Sequence, residues 1–508
     1  MNVVLFYEST LAAKLYQNEV SVSNTATLSR KAFDAATPWQ ARDMDKSEMF
    51  NIERALRETR ERMGSFYKHN QVLGRRETIG CVALEITQRC NLDCTLCYLS
   101  ENSENTKDIP IEKVFERIDK IYAEYGPGTA VQITGGDPTM RARKELVAIV
   151  EYTRKRGLVP ALFTNGIKAT RDLLSELANV GLNDVAFHVD LTQERKGFKT
   201  EADLNVVRQE YIDRCRGLPI TVMFNTTVCD QNYDEIPKIV EFFVENADVV
   251  RMCSFQMQAD TGRGEQGKRA GLITLPNVRS QINTGAKASL AWDVIMFGHQ
   301  ECNRYAPTYV INRKKVVNVI DDEKLFSQFL EDFKHVMIDR RDNLFMIAKP
   351  FIMLAFQRPV WFLRALKYFF KKVWQGGFEL VKAGGRFNKV SFFIHNFMDA
   401  DNLVCERIDT CSFMVMTEDG PLSMCAHNAR RDEFITKPMN VKTAEGVKVF
   451  DPLIDTNVRL GKRHQNDSYL GANHHSSKGK DHNGCGSGSS CATKSSSTAK
   501  PSTSSCSA

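Results

Sequence analysis

No apolar run in this 508-residue chain approaches the roughly 20 residues that a membrane-spanning helix needs. The greasiest stretch, 344–374, is split by Pro350 and Pro359. An excess of one charge is also missing. Against 62 Asp and Glu stand 68 Lys and Arg, and the resulting +6 is too slight at this length to suggest nucleic acid. The amino terminus lacks a basic start and is interrupted by Glu8, so no signal peptide is expected. Residues 1–75 hold none of the 14 cysteines. In a small secreted domain that many cysteines would mean disulfides; here they read as thiols kept for metal in a reducing cytoplasm. A chain that is 42% hydrophobic and 26% charged is of the soluble globular kind, long enough for two or three units.

The chemistry starts at Cys81. Val82, Leu84 and Ile86 alternate as in a strand, which delivers Cys90, Cys94 and Cys97 onto the following loop, with Tyr98 beside them. Thiolates bind soft metals, and an iron–sulfur cluster usually takes four. With only three at cluster spacing, a [4Fe-4S] cluster would keep one iron open to a small-molecule chelator. A zinc site is the alternative that short cysteine spacings allow.

From Cys81 on, strand-like runs (81–87, 129–134, 159–164, 184–190, 219–228, 248–256) alternate with helical patterns (111–125, 141–156, 169–180, 203–217, 233–246). That alternation predicts an α/β fold with a parallel sheet. Upstream, Ser47 to Met63 has the apolar spacing of a packing helix.

Cys90, Cys94, Cys97 and Tyr98 match the CxxxCxxC-aromatic motif, and here the chain resembles the radical S-adenosylmethionine (radical SAM) superfamily. The resemblance implies a partial (β/α)6 barrel over 76–265, with S-adenosylmethionine on the open iron of the catalytic [4Fe-4S] cluster. It also implies a 5′-deoxyadenosyl radical, and an electron donor such as flavodoxin or ferredoxin. The segment Gly135-Gly136-Asp137-Pro138 resembles the superfamily's GGEP-type contact to the methionine amino group, with Asp137 in place of Glu.

Other strand ends supply weaker candidates. Thr164 and Asn165, before Gly166, offer polar groups to ribose or carboxylate. Asp190 would face the barrel mouth or cap a helix. Gln256, with Arg251 and Arg263, could bind the methionine carboxylate or substrate. Cys215, Cys229 and Cys253 read as buried structural thiols.

Past the barrel and a connecting region (266–343), a second cysteine set follows. Cys302, Cys405, Cys411 and Cys425 make the number that encloses an auxiliary [4Fe-4S] cluster. Unrelated buried thiols, or a mononuclear zinc or iron site using His299 or His427, remain alternatives. Between them lies the insertion 344–389, apolar, aromatic and basic. Residues 358–389 hold eight Lys or Arg and one acid, Glu379. That composition predicts a helix lying on an anionic membrane surface; the alternative is a helical cover for the barrel. The auxiliary region is expected over 390–464, and the tail from 465 is too poor in apolar residues to pack.

His395-Asn396-Phe397-Met398-Asp399-Ala400, with His299, Cys302 and the later cysteines, resembles radical SAM proteins related to tetraether lipid synthase and to methanopterin-type C-methylases. The chain has no amino-terminal rubredoxin-like module, so only the reaction type carries over. The expectation is a cytoplasmic enzyme, peripheral at the inner face of the membrane, forming C–C bonds or C-methylating an unactivated C–H of a lipid or other hydrophobic substrate. A pterin or peptide substrate, or a zinc-stabilised membrane-binding scaffold without catalysis, are the rival readings.

Overall fold

Every residue of β1 (Cys81–Thr87) is buried. A strand covered on both faces reads as a continuous apolar run, and this one departs from that rule at a single carboxylate, Glu85. In the computed structural model, β1 begins a parallel series with β2 (Ala130–Gly135), β3 (Val159–Thr164), β4 (Asp184–His188), β5 (Thr221–Val228) and β6 (Val250–Met257). The helices between them are α2 (Ile111–Tyr125), α3 (Arg143–Lys155), α4 (Arg171–Asn179), α5 (Asn205–Cys215) and α6 (Ile236–Glu245); α1 (Ile52–Met63) precedes the series. Side-chain caps fix several of these starts: Asn51 accepts from Arg54 N before α1, and Thr170 from Leu173 N before α4.

The described residues are 50–454, apart from 264–268, 270, 272, 334–348, 350–351, 354 and 444–445. Met1–Pro452 form one compact unit; Leu453–Ala508 form another, of which residues 453 and 454 are described. The expectation of an unpacked tail from 465 lies outside the described residues.

The sheet does not stop at six strands. Beyond β6 it continues through β9 (Phe387–Asn396), parallel to β6, then β7 (Asn303–Ile311) and β8 (Lys315–Asn318), both antiparallel to their neighbours. On the other side, β10 (Phe413–Thr417) lies parallel to β1 and carries β11 (Gly420–Ser423). A bare edge of β1 or β6 would leave a row of backbone donors and acceptors without partners, and these later strands satisfy them. The result is a curled, partial α/β barrel of 11 strands. A separate hairpin joins β12 (Met439–Thr443) to β13 (Gly446–Phe450).

The remaining helices are α7 (Leu275–Ala286), α8 (Glu323–Asp332), α9 (Pro359–Lys382), α10 (Cys405–Asp409), α11 (Met424–Ala429) and α12 (Arg431–Ile435). Among the described residues, no helix is long and apolar enough to cross a membrane. Of the 24 residues of α9, only Lys372 and Gly376 are buried. The helix therefore does not present its apolar side to the core.

Candidate active site

The loop after β1 carries Cys90, Cys94 and Cys97, all half-buried, along one wall of a cleft of about 1810 Å³, open mouth included. The carboxyl ends of β1 to β6 surround it, where parallel barrels gather their catalytic groups. Burial pushes the Cys90 thiol up, and it pushes Cys94 higher still with help from the Asp190 charge and the neighbouring thiols. Thiolates crowded in this way need a cationic metal to be stable, so metal loading and deprotonation would be coupled.

The loop is clamped from two sides. A Cβ on Gly136 would lie 2.2 Å from the Arg89 carbonyl, and one on Gly135 1.9 Å from that of Thr87. Only glycine lets the end of β2 come this close. Gly136 N and Asp137 N donate to the carbonyls of Thr87 and Arg89 at 2.9 and 2.8 Å. On the far side, a Cβ on Gly262 would meet the Cys97 carbonyl at 2.4 Å. Arg263 N donates to the Leu99 carbonyl, and its guanidinium pairs with Glu104 at 2.7 Å.

Tyr98 turns its hydroxyl onto the Gly135 carbonyl, and its ring lies under Arg431, 4.7 Å from centroid to guanidinium carbon. Arg431 in turn bonds Glu85 at 2.7 Å, both side chains being buried. Burial alone would raise the Glu85 carboxyl; Arg431 and His427 outweigh it and hold it down at about 2.

The two acids among the candidate ligands are absorbed by the protein. One Asp137 oxygen accepts from Thr164 Oγ1 and Asn165 N, both at 2.8 Å, and the other from Thr139 N at 2.9 Å. It therefore joins the ends of β2 and β3. Asn165 Nδ2 donates to Asn91 Oδ1 at 2.7 Å and comes within 3.9 Å of Cys90 Sγ. Of the two readings for Asp190, facing the mouth or capping, the structure has the cap, and the residue is wholly buried. It caps the turn Leu191–Gln193, accepts from Thr192 and from Thr227 N at 2.6 Å, and bonds His188 Nε2 at 2.6 Å. Burial would raise its carboxyl, but His188 and these donors hold it at about 2. The ring that lines the cleft is His188, whose own pKa Asp190 raises against the opposing effect of burial.

Gln256 does line the cleft, beside His395 in the β6–β9 register. Arg251 does not; it sits at the start of β6 and bonds Ala247 O and Asn388 Oδ1. Much of the remaining wall is apolar, with five methionines: Met223, Met252, Met257, Met398 and Met424. Cys215, Cys229 and Cys253 are buried away from it.

Cys302, Cys411 and Cys425 converge from β7, β10 and α11 on a smaller cavity of about 340 Å³, lined also by His395 and Arg407. Arg407 Nε donates to Cys302 Sγ at 3.1 Å, Phe413 N to Cys411 Sγ and Met398 N to Cys425 Sγ, both at 3.4 Å. Burial pushes the Cys302 thiol up to about 11 and the Cys425 thiol up to about 12. Cys405 begins α10 and does not line this cavity. His299 and His427 do not line it either, and His427 faces a third pocket behind β1. His395, Phe397, Met398, Phe413 and Cys425 line both the cavity and the large cleft. Among the described residues, no three His, Cys, Asp or Glu side chains converge tightly enough for a single metal ion.

Sequence reasoning missed Glu85, Arg431, His188 and His395 as cleft residues. Glu85 had a signal: a charge inside a strand that otherwise reads as core demands a buried partner.

Residues 84–243 match the family model described as the Radical SAM superfamily. A 7,8-dihydro-6-hydroxymethylpterin dimethyltransferase of Methanocaldococcus jannaschii is 30% identical over 201 residues, 38% of this chain and 39% of the relative. A PqqA peptide cyclase of Bradyrhizobium diazoefficiens is 30% identical over 187 residues, 35% of this chain and 48% of the relative. The chain thus spans less than half the length of each of these relatives. Among solved structures it is similar to Streptococcus suis SuiB bound to S-adenosylmethionine, with a TM-score of 0.32, 16% identity, and coverage of 40% of this chain and 46% of that one.

Proposed function

We propose that the chain, whose residues 84–243 match the Radical SAM superfamily model, is an enzyme that functionalises an unactivated C–H of a hydrophobic substrate, by C–C bond formation or C-methylation. The observation that carries this is the pairing of three loop thiols with a largely apolar, methionine-rich wall in one cleft. When bound, a reduced [4Fe-4S] cluster and S-adenosylmethionine supply the 5′-deoxyadenosyl radical that removes a hydrogen atom.

In this reading Cys90, Cys94 and Cys97 hold the cluster, and the clamp of Gly135, Gly136 and Gly262 sets the position of their loop. Since the Gly136 and Asp137 N–H groups are spent on that loop, the segment offers carbonyl acceptors, the right partners for an ammonium. Thr164, Asn165 and Gln256 are the polar groups for the rest of S-adenosylmethionine or the substrate head, with Tyr98 fixing the loop end. Asp137 and Asp190 act as positioning residues. Cys302, Cys411 and Cys425 hold an auxiliary [4Fe-4S] cluster without Cys405, which does not line their cavity, and the cluster lies close enough to the cleft to exchange electrons with substrate. A flavodoxin or ferredoxin reduces the enzyme, which works in a reducing cytoplasm at the inner face of the membrane.

A pterin or peptide substrate is the second reading; the cleft's Gln132, Asn225 and Gln256 favour it, as do the names of the two curated relatives. Anaerobic reconstitution is the test. The enzyme should turn brown and release 5′-deoxyadenosine with dithionite, whereas a scaffold holding zinc would stay colourless. Mass comparison of lipid extracts from cells with and without the gene should reveal the hydrophobic product; unchanged lipids would move the assignment to a soluble substrate.

A further inference from the structure

Trp361, Tyr368 and Lys372 share one side of α9, seven and four residues apart, and that side meets the protein; Glu379, past the break at Gly377, meets it too. Trp361 packs near Phe333, Tyr368 and Lys372 bond Asp321, and Glu379 accepts from Asn312. The opposite arc is exposed. Val360 is 81% exposed, Leu363 61%, Phe370 60% and Trp374 86%, with Leu366 and Phe369 between them. A contiguous apolar surface of this kind marks an interaction site.

The charges around it select the partner. Residues 358–389 hold eight Lys or Arg against Glu379. Arg358, Arg364, Lys371 and Lys372 lean on Asp332, Asp322 and Asp321, with one aspartate shared by two lysines. Lys367, at the margin of the apolar arc, has no ion pair among the described residues. Those four cations against three aspartates, with Lys367 besides, leave this side net positive, so a second copy of the chain would bring like charge against itself, which opposes a two-fold contact. An apolar arc bordered by lysines suits a bilayer interface, where rings enter the acyl boundary and lysines reach phosphate.

We infer that α9 seats the protein on the surface of an anionic lipid bilayer, with Val360, Leu363, Phe370 and Trp374 inserted and Lys367 at the headgroups. This deepens, and rests on, the hydrophobic-substrate reading, because a lipid surface would bring such a substrate to the enzyme.

The test uses the full reconstituted chain with vesicles of phosphatidylcholine alone or mixed with phosphatidylglycerol, read by flotation. Binding should require phosphatidylglycerol and weaken with salt. Lys367→Gln should lower the partition coefficient about fivefold, and Phe370→Asp should abolish it, with secondary structure unchanged at so exposed a site. Loss of vesicle binding in the wild type, or binding indifferent to Phe370→Asp, overturns the inference. So does a dimer in light scattering that Phe370→Asp dissociates, which would assign the arc to a second copy. Formation of 5′-deoxyadenosine with dithionite should be equal in wild type and variants. Its absence in the wild type would sink the radical reading and leave lipid binding to be judged by flotation alone.

Discussion

Replacing Glu85 by Gln tests how the cleft is held together. The substitution keeps the shape of the side chain but leaves the Arg431 guanidinium buried without its carboxylate. Removing one partner of a buried ion pair costs about 3–5 kcal/mol. The titration of Glu85 gives a similar figure. Its carboxyl is held at about 2 in the fold against an ordinary value of about 4.5, a difference that corresponds to about 3 kcal/mol. The sign follows from the depressed folded value. The stabilisation is complete above the unfolded pKa and is lost as pH falls from about 4.5 toward about 2. Glu85→Gln should therefore lower the unfolding free energy in anaerobic urea titrations by about 3 kcal/mol at neutral pH, and should flatten the loss between those pH values. The double variant Glu85→Gln, Arg431→Met removes the orphaned charge and should recover much of the loss. A single-variant cost under about 1 kcal/mol, or no recovery in the double variant, would refute the argument that an unpaired buried charge sets the penalty.

Cys94→Ala should lose the brown chromophore of the amino-terminal site and bring 5′-deoxyadenosine to background, measured by chromatography. Gly136→Ala forces a methyl to 2.2 Å from the Arg89 carbonyl; iron incorporation should fall while far-ultraviolet circular dichroism persists. Cys425→Ser should reduce iron from about eight to about four per chain, if two cubanes are present, by metal analysis of reconstituted protein. Asp190→Asn removes the carboxylate that accepts from His188 and Thr227. The His188 pKa should then drop, seen by NMR titration, and stability should fall by about 1–3 kcal/mol.

The repeating strand–helix units were legible because each is local. The helix expected over 111–125 is α2, and the strand expected over 81–87 is β1. The two expected helices around 141–156 and 203–217 are slightly shorter in the fold, as frayed ends usually are. What was hidden is long-range. Nothing near Glu85 announces Arg431, which lies 346 residues away. Nor does β6 announce that its free edge will be taken by β9, some 130 residues later and after the exposed helix α9. Asp190 stayed open between mouth and cap for a different reason. Counting by twos from Ala186 places it in the mouth, but β4 ends at His188 and the chain turns to let Asp190 cap the next segment. The same count puts His188 at the cleft, where the fold has it. Of the second cysteine set, Cys302, Cys411 and Cys425 line one cavity and Cys405 does not; their meeting place depends on β7, β10 and α11 being brought together by the sheet.

The sheet runs from β11 to β8, and among the described residues each of these end strands is bonded along one side alone. A closed ring would admit a long chain only end-first, threading it past every side chain on the way in. On the hydrophobic-substrate proposal, a wall with a gap would let a flexible molecule be laid in sideways, with both tails left outside and only the reacting segment brought against the thiols.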